Sequence, residues 1–114
     1  MKTSKKNFVV FKKEFLRWVD ILGLKQWKIF FLQDKLDNAF GECRANLSGG
    51  VATIVMTLEI DDRKHFNPKE NGKHEALELL LVPLDVNAKY RYVSESEINE
   101  ARHAIIRVLE KVLK

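Results

Sequence analysis

The spacing of apolar residues divides the chain into a helix, a run of strands and two further helices. Over residues 7–22, Phe8, Phe11, Phe15, Trp18, Val19 and Leu22 recur at steps of three and four. That is the period of one helical face, and it predicts an amphipathic helix with Asn7 as N-cap and Gly23 as its stop. Residues 1–6 precede the pattern and are expected as a flexible arm. The period then changes. "QWKIFFLQD" is rich in aromatic and β-branched residues, "AFGECRANL" alternates, and "VATIVMTLEID" follows the tight turn "SGG". These segments predict three strands joined by two hairpins, an antiparallel meander with the third strand on its edge.

The polar loop "DDRKHFNPKENGK" leads into a second helix. Asn67, Pro68 and Glu70 have the chemistry of a helix start, whereas Gly72 argues for a start nearer Lys73. Either way Pro83 is expected to end that helix after Val82. "AKYRYV" belongs to a loop, and "SESE" is a capping box with Ser94 as cap and Glu97 reaching back. The last helix is expected over about residues 95–113, with Ile98, Ala101, Ile105, Val108, Leu109 and Val112 as its buried stripe. The predicted fold is therefore α+β. An N-terminal helix, a three-stranded antiparallel sheet and two C-terminal helices make one domain over residues 1–114.

Composition narrows the possibilities. A chain of 114 residues, 46% hydrophobic and 32% charged, can bury a single core. Its formal charge of +4 comes from lysines scattered through "SKK", "FKKEF", "DRKHF" and "VLEKVLK", with no dense basic block. Such mild basicity serves solubility more often than nucleic-acid recognition. Cys43 is the only cysteine, which rules out an internal disulfide and a cysteine-based zinc site. In an alternating strand it is expected to pack rather than react. No apolar run approaches the ~20 residues that cross a bilayer. The "FVVF" patch near the start is shorter than the roughly 7–15 apolar residues of a signal peptide. A cytoplasmic protein without membrane contact is expected.

One stretch departs from ordinary core patterning. "NGKHEALELLLVPL" places His74, Glu75 and Glu78 in an otherwise apolar helix. At ~100° per residue, Glu78 lies ~40° from His74 and Glu75 ~100° from it, while Ala76, Leu77, Leu79, Leu80 and Leu81 fill most of the circle. A helix apolar nearly all round is central, and buried carboxylates are costly unless paired or bound to a cation. His74 and Glu78, one turn apart, are spaced to grip one ion. Glu75 points aside, where a general base acts on water, as in H-E-x-x-H. The plainer alternative is a half-exposed helix edge paired with Arg91, Arg102 or Arg107. A third ligand is sought in "NEARHAIIRVLE", whose stripe leaves Glu100, His103, Arg107 and Glu110 opposite. His103 is the candidate there, although a polar face on a terminal helix is commonly exposed to water. His65, in the loop, is a weaker candidate. Glu100 together with His103 would also suit a two-metal set.

With these residues in view, the chain resembles small, mostly phage-encoded metallopeptidase-like proteins, minimal zincin-like domains akin to SprT-like proteins. The segments that carry the resemblance are "WKIFF", "VATIVMTLEI", "KHEALELLLVPL" and "EINEARHAIIRVLEKVL", and it covers roughly residues 8–113. The resemblance implies metal-dependent amide hydrolysis in a host cytoplasm. His74 would be the first ligand, Glu75 the catalytic base and His103 the third ligand. Glu78 stands where the family has its second histidine. That departure fits a His/Glu/His zinc site, a harder divalent metal such as manganese, or a domain that has lost activity. A peptide substrate would lie along strand 51–60, with Tyr90 and Tyr92 as oxyanion donors. The alternatives are an inactive zincin-like binding module and a small basic domain that binds nucleic acid or a host protein.

Overall fold

The structure, a computed structural model, describes residues 1–61, 65–89 and 94–113. Helix α1 spans Lys5–Leu22. It starts earlier than the apolar stripe because Ser4, not Asn7, is the cap. The Asn7 N–H donates to Ser4 Oγ at 3.0 Å, and the Ser4 N–H donates to Asn7 Oδ1 at 2.9 Å. This reciprocal pair satisfies two of the free donors at the helix start. At the other end Gly23 takes φ 71°, the left-handed turn that glycine adopts most easily. The first residues are not a loose arm. The Thr3 N–H donates to Leu58 O and the Ile60 N–H to Met1 O, each at 2.8 Å, and Lys2 bridges Glu59.

Strands β1 (Lys28–Asp34), β2 (Gly41–Asn46) and β3 (Val51–Thr57) form one sheet, but not the expected antiparallel meander. The order is β1-β3-β2: β3 runs parallel to β1 and antiparallel to β2. The reason lies in the composition of β3. Val55 on one face and Ala52, Ile54 and Met56 on the other are all fully buried, so this strand belongs at the centre. Putting it on the edge would expose the most apolar strand of the chain. β1 alternates more plainly. Ile29 and Phe31 join the core, while Phe30 and Leu32 stay half exposed.

Helix α2 (Pro68–Leu80) starts at the earlier of the two expected points. Asn67 Oδ1 accepts from the N–H groups of Lys69 and Glu70, with Pro68 in the first turn. Gly72 lies inside the helix because α1 passes close by. A Cβ there would sit 2.5 Å from the Phe11 carbonyl oxygen. Gly72→Ala is therefore expected to lower stability by about 1–3 kcal/mol in urea unfolding, although alanine otherwise favours helix by ~1 kcal/mol. A variant as stable as wild type would show that α1 and α2 can separate without loss.

Among the described residues three helices, not two, follow the sheet. Pro83 does not end the chain's helical path after α2. It sits in the first turn of α3 (Val82–Ala88), where its missing N–H costs nothing. Helix α4 (Glu95–Val112) begins at Ser94, whose Oγ accepts from the Glu97 N–H and donates to the Glu97 carboxylate. Its buried face differs from the expected stripe. Ile98 and Ile106 are buried, whereas Ala101 is exposed and Ile105, Val108 and Val112 are 43%, 60% and 69% exposed. The helix is turned by roughly a third of a revolution, which aims Asn99, Arg102, His103 and Glu110 at the body of the protein. The core beneath is built from Phe11, Phe15 and Trp18 of α1, Ile54 and Met56 of β3, and Ala76 and Leu79 of α2. Among the described residues no helix is long and apolar enough to cross a membrane.

Candidate metal centre

His74 and Glu78 leave α2 one turn apart, and the rotation of α4 carries His103 to meet them. Ligand atoms of His74, Glu78 and His103 all lie within 4.8 Å of one another. His103 Nε2 is 3.8 Å from Glu78 Oε1. The two imidazole rings are stacked, with centroids 5.9 Å apart and planes 19° from parallel. The three groups line a cleft of about 480 Å³ between α2, α4 and the edge of β2 that no described strand covers.

The donor set suits a borderline divalent cation. Two imidazoles and one carboxylate are a common zinc complement, with ligands at ~2.0–2.2 Å. Atoms spread over 4.8 Å can close on a cation with side-chain adjustment alone, because two ligands at that bond length stand within ~4 Å of each other. The ring nitrogens are also assigned usefully. His103 Nδ1 is 2.8 Å from the Asn99 carbonyl oxygen, which can only accept. Nδ1 is therefore the donor to that carbonyl, and in the neutral ring the lone pair is on Nε2, the nitrogen nearer Glu78. Glu78 is not free of other attachments. Arg102 Nε donates to its Oε1 at 3.1 Å, and Arg102 Nη1 donates to Asp85 Oδ1 at 2.6 Å. Pairing of Glu78 with Arg102 was one of the sequence alternatives. It takes one carboxylate oxygen and leaves the other, while Asp85 offsets the guanidinium charge.

Glu75 sits apart from the three. Its side chain is buried against β2, so close that a Cβ on Gly41 would lie 2.9 Å from Glu75 Oε2. No hydrogen bond reaches its carboxyl from any described residue. Burial, then the charges of Glu78 and Glu42, push its pKa up to about 8. The Cys43 thiol is pushed up to about 12 by burial and then by the two α2 carboxylates Glu75 and Glu78. Cys43 is thus a protonated packing residue beside the cleft, not a nucleophile.

Other sequence candidates lie elsewhere. His65 is exposed and outside the cluster, and Glu100, needed for a two-metal set, is exposed on α4. Tyr90, Arg91 and Tyr92 lie outside the described residues. Residues 51–60 cannot serve as a substrate rail, because β3 is paired on both sides. The edge beside the centre is β2. Phe40 O accepts from the Thr57 N–H, and antiparallel alternation then aims the main chain of Gly41, Cys43 and Ala45 at the open edge. The residues not singled out from sequence are Gly41, Asn71 and Asp85. Only Gly41 left a signal there, as a glycine inside a strand pattern, which marks a close approach.

No protein-family model, curated protein or solved structure matches this chain.

Proposed function

We propose that this domain is a metal-dependent hydrolase that cleaves an amide bond in a peptide substrate. The convergence of His74, Glu78 and His103 from two helices, with the buried carboxyl of Glu75 lining the same cleft, carries the reading. Zinc is the first choice for such a donor set, and another divalent metal the second. When bound, the cation would polarise the scissile carbonyl and make water more acidic. The residues of the chain do the rest. Glu75, whose ionised form a nearby cation would favour over the acid that burial favours without one, takes a proton from the attacking water at its carboxylate and delivers it to the departing nitrogen. Gly41 leaves the space in which that carboxylate lies against β2. Arg102, held by Asp85, lines the same cleft and would attract developing negative charge on the carbonyl oxygen.

The binding surface follows from the sheet order. β2, not strand 51–60, offers main-chain groups beside the cleft that no described residue pairs, so an extended peptide would add there as a further strand. The cleft adjoins a cavity of about 400 Å³ through Ala39 and Phe40, and one of about 270 Å³ through Cys43. Together they run alongside β2 and give room for residues on both sides of a scissile bond. A host cytoplasm remains part of this proposal. The specific rival is an inactive binding module in which Arg102, Glu78 and Asp85 only tie α2, α3 and α4 together.

Calorimetric titration with zinc separates the two. Wild type is expected to bind one equivalent at micromolar or tighter affinity, and His74→Ala and His103→Ala are expected to weaken binding at least 100-fold. Wild type that takes up neither zinc nor manganese at micromolar concentration would leave only the binding module.

A further inference from the structure

We infer that Glu110 is the positioning residue for His74: its carboxylate holds the imidazole with hydrogen on Nδ1, so that Nε2 faces the cation. The inference rests on the metal-site reading above and extends it to a residue outside the ligand set. Glu110 Oε2 lies 3.4 Å from His74 Nδ1. That is longer than the ~2.7–3.2 Å of a strong bond, so the inference rests on which nitrogen faces the carboxylate and on how the two helices are held together. A carboxylate is an acceptor, and a neutral ring facing it therefore carries its hydrogen on Nδ1.

The approach of the two side chains is not left to their own flexibility. Lys73, the residue before His74, is buried and donates from Nζ to the Glu110 carbonyl oxygen at 2.8 Å. The main chain of Glu110 is thereby pinned to the very turn of α2 that carries His74. Glu110 also lies two turns beyond His103 on α4, on the same face, so one helix supplies a ligand and the orienting group for another. His103 is held in the same sense by the Asn99 carbonyl, and Glu78 by Arg102. Each of the three ligands thus has an outer partner, and all three partners come from α4: Asn99, Arg102 and Glu110. This is what a ligand set needs if a cation is to enter without first rearranging hydrogens. A neutral imidazole with no partner on Nδ1 divides its hydrogen between two nitrogens, and only one form presents Nε2. Removing such outer partners typically weakens metal binding 10–100-fold.

Two readouts test this on the full chain. The first is long-range nitrogen–proton NMR of the histidine rings in chelator-treated protein at about pH 8.5, where an ordinary imidazole is neutral. Wild type is expected to show His74 with hydrogen on Nδ1. Hydrogen on Nε2, or on both nitrogens, overturns the inference, and this measurement needs no variant. The second is zinc titration of Glu110→Ala and Glu110→Gln. The alanine variant is expected to lose the His74 tautomer preference and to bind zinc 10–100-fold more weakly. Glutamine keeps an acceptor oxygen and is expected to restore the tautomer and most of the affinity. The His103 signal should stay unchanged in both, because its partner is a main-chain carbonyl. An alanine variant with the wild-type tautomer and affinity overturns the inference while leaving the metal site standing. Wild type that binds no zinc removes the hydrolase reading instead, and the NMR spectrum then decides the role of Glu110 alone.

Discussion

Glu75→Gln is expected to cut peptide turnover by about 10²–10⁴-fold while leaving zinc affinity within a few-fold of wild type. The two effects separate because Glu75 lies outside the ligand cluster. Its side chain leaves α2 about 100° away from that of His74, and its carboxyl lies against Gly41 rather than among the three ligands. Glutamine keeps the shape that fits this close contact. It removes the one thing the proposed reaction needs there, a carboxylate that can accept a proton from water and pass it on. No described residue hydrogen-bonds to the Glu75 carboxyl, so the substitution breaks no hydrogen bond among the described residues. A fluorescence-quenched library of unstructured peptides would report turnover, and calorimetry would report zinc. A Gln variant with wild-type turnover would remove Glu75 from the chemistry. A variant that lost zinc and turnover together would make Glu75 part of the metal site instead.

The local half of the site was legible in the sequence, and the long-range half was not. His74 and Glu78 share a helix, so their one-turn spacing alone places them side by side. His103 depends on how α4 is turned, and there the apolar pattern misleads. Ile105, Val108 and Val112 form the more regular stripe, yet they face outward. The face that docks mixes Ile98 and Ile106 with Arg102, His103 and Glu110, because its contacts with α2 include ion pairs and hydrogen bonds. Hydrophobic periodicity gives weight only to apolar residues and cannot see such a face. Its polar neighbours and the resemblance single out His103 all the same, and they leave Glu110 on that face without a role.

The fold divides in the same way. Element types followed from period, but the sheet order did not, because hairpin spacing suggests that consecutive strands are neighbours. The turn at residues 47–50 does make β2 and β3 neighbours. Between β1 and β2 the chain instead leaves a gap, and β3 fills it. The cue was burial on both faces of "VATIVMT", which argues for a central strand whatever the loops suggest. Gly72 and Pro83 misled for a related reason. Each has a local meaning as a helix breaker and a contextual one, as a point of close helix contact and as a first-turn residue. The contextual meaning became visible only with the neighbouring helix in place.

In the absence of a divalent cation, wild-type protein is expected to lose stability as pH rises from about 5 to 8, and Glu75→Gln is expected to remove most of that loss. Burial and the charges of Glu78 and Glu42 raise the Glu75 pKa in the folded chain from 4.5 to about 8. The folded state therefore binds this proton more tightly than the unfolded state does. Below pH 4.5 both states are protonated and the full stability is present. As pH rises above that, the unfolded chain releases its proton while the folded chain must keep it, and stability falls until the folded group also ionises near pH 8. At 1.36 kcal/mol per unit of pH, the loss across this window is on the order of 3–4 kcal/mol. Glutamine mimics the protonated acid in shape and has no proton to lose. The two proteins should have similar stability near pH 5, and the variant should be the more stable by roughly that amount near pH 8. Urea unfolding of both proteins in chelator across this range measures the difference directly, and other titrating groups cancel between them. Parallel stability profiles would mean that water or a neighbouring group solvates the Glu75 carboxylate, so that the folded protein holds it ionised at neutral pH. A fall confined to wild type would instead identify Glu75 as a buried acid that the fold tolerates at a cost in stability.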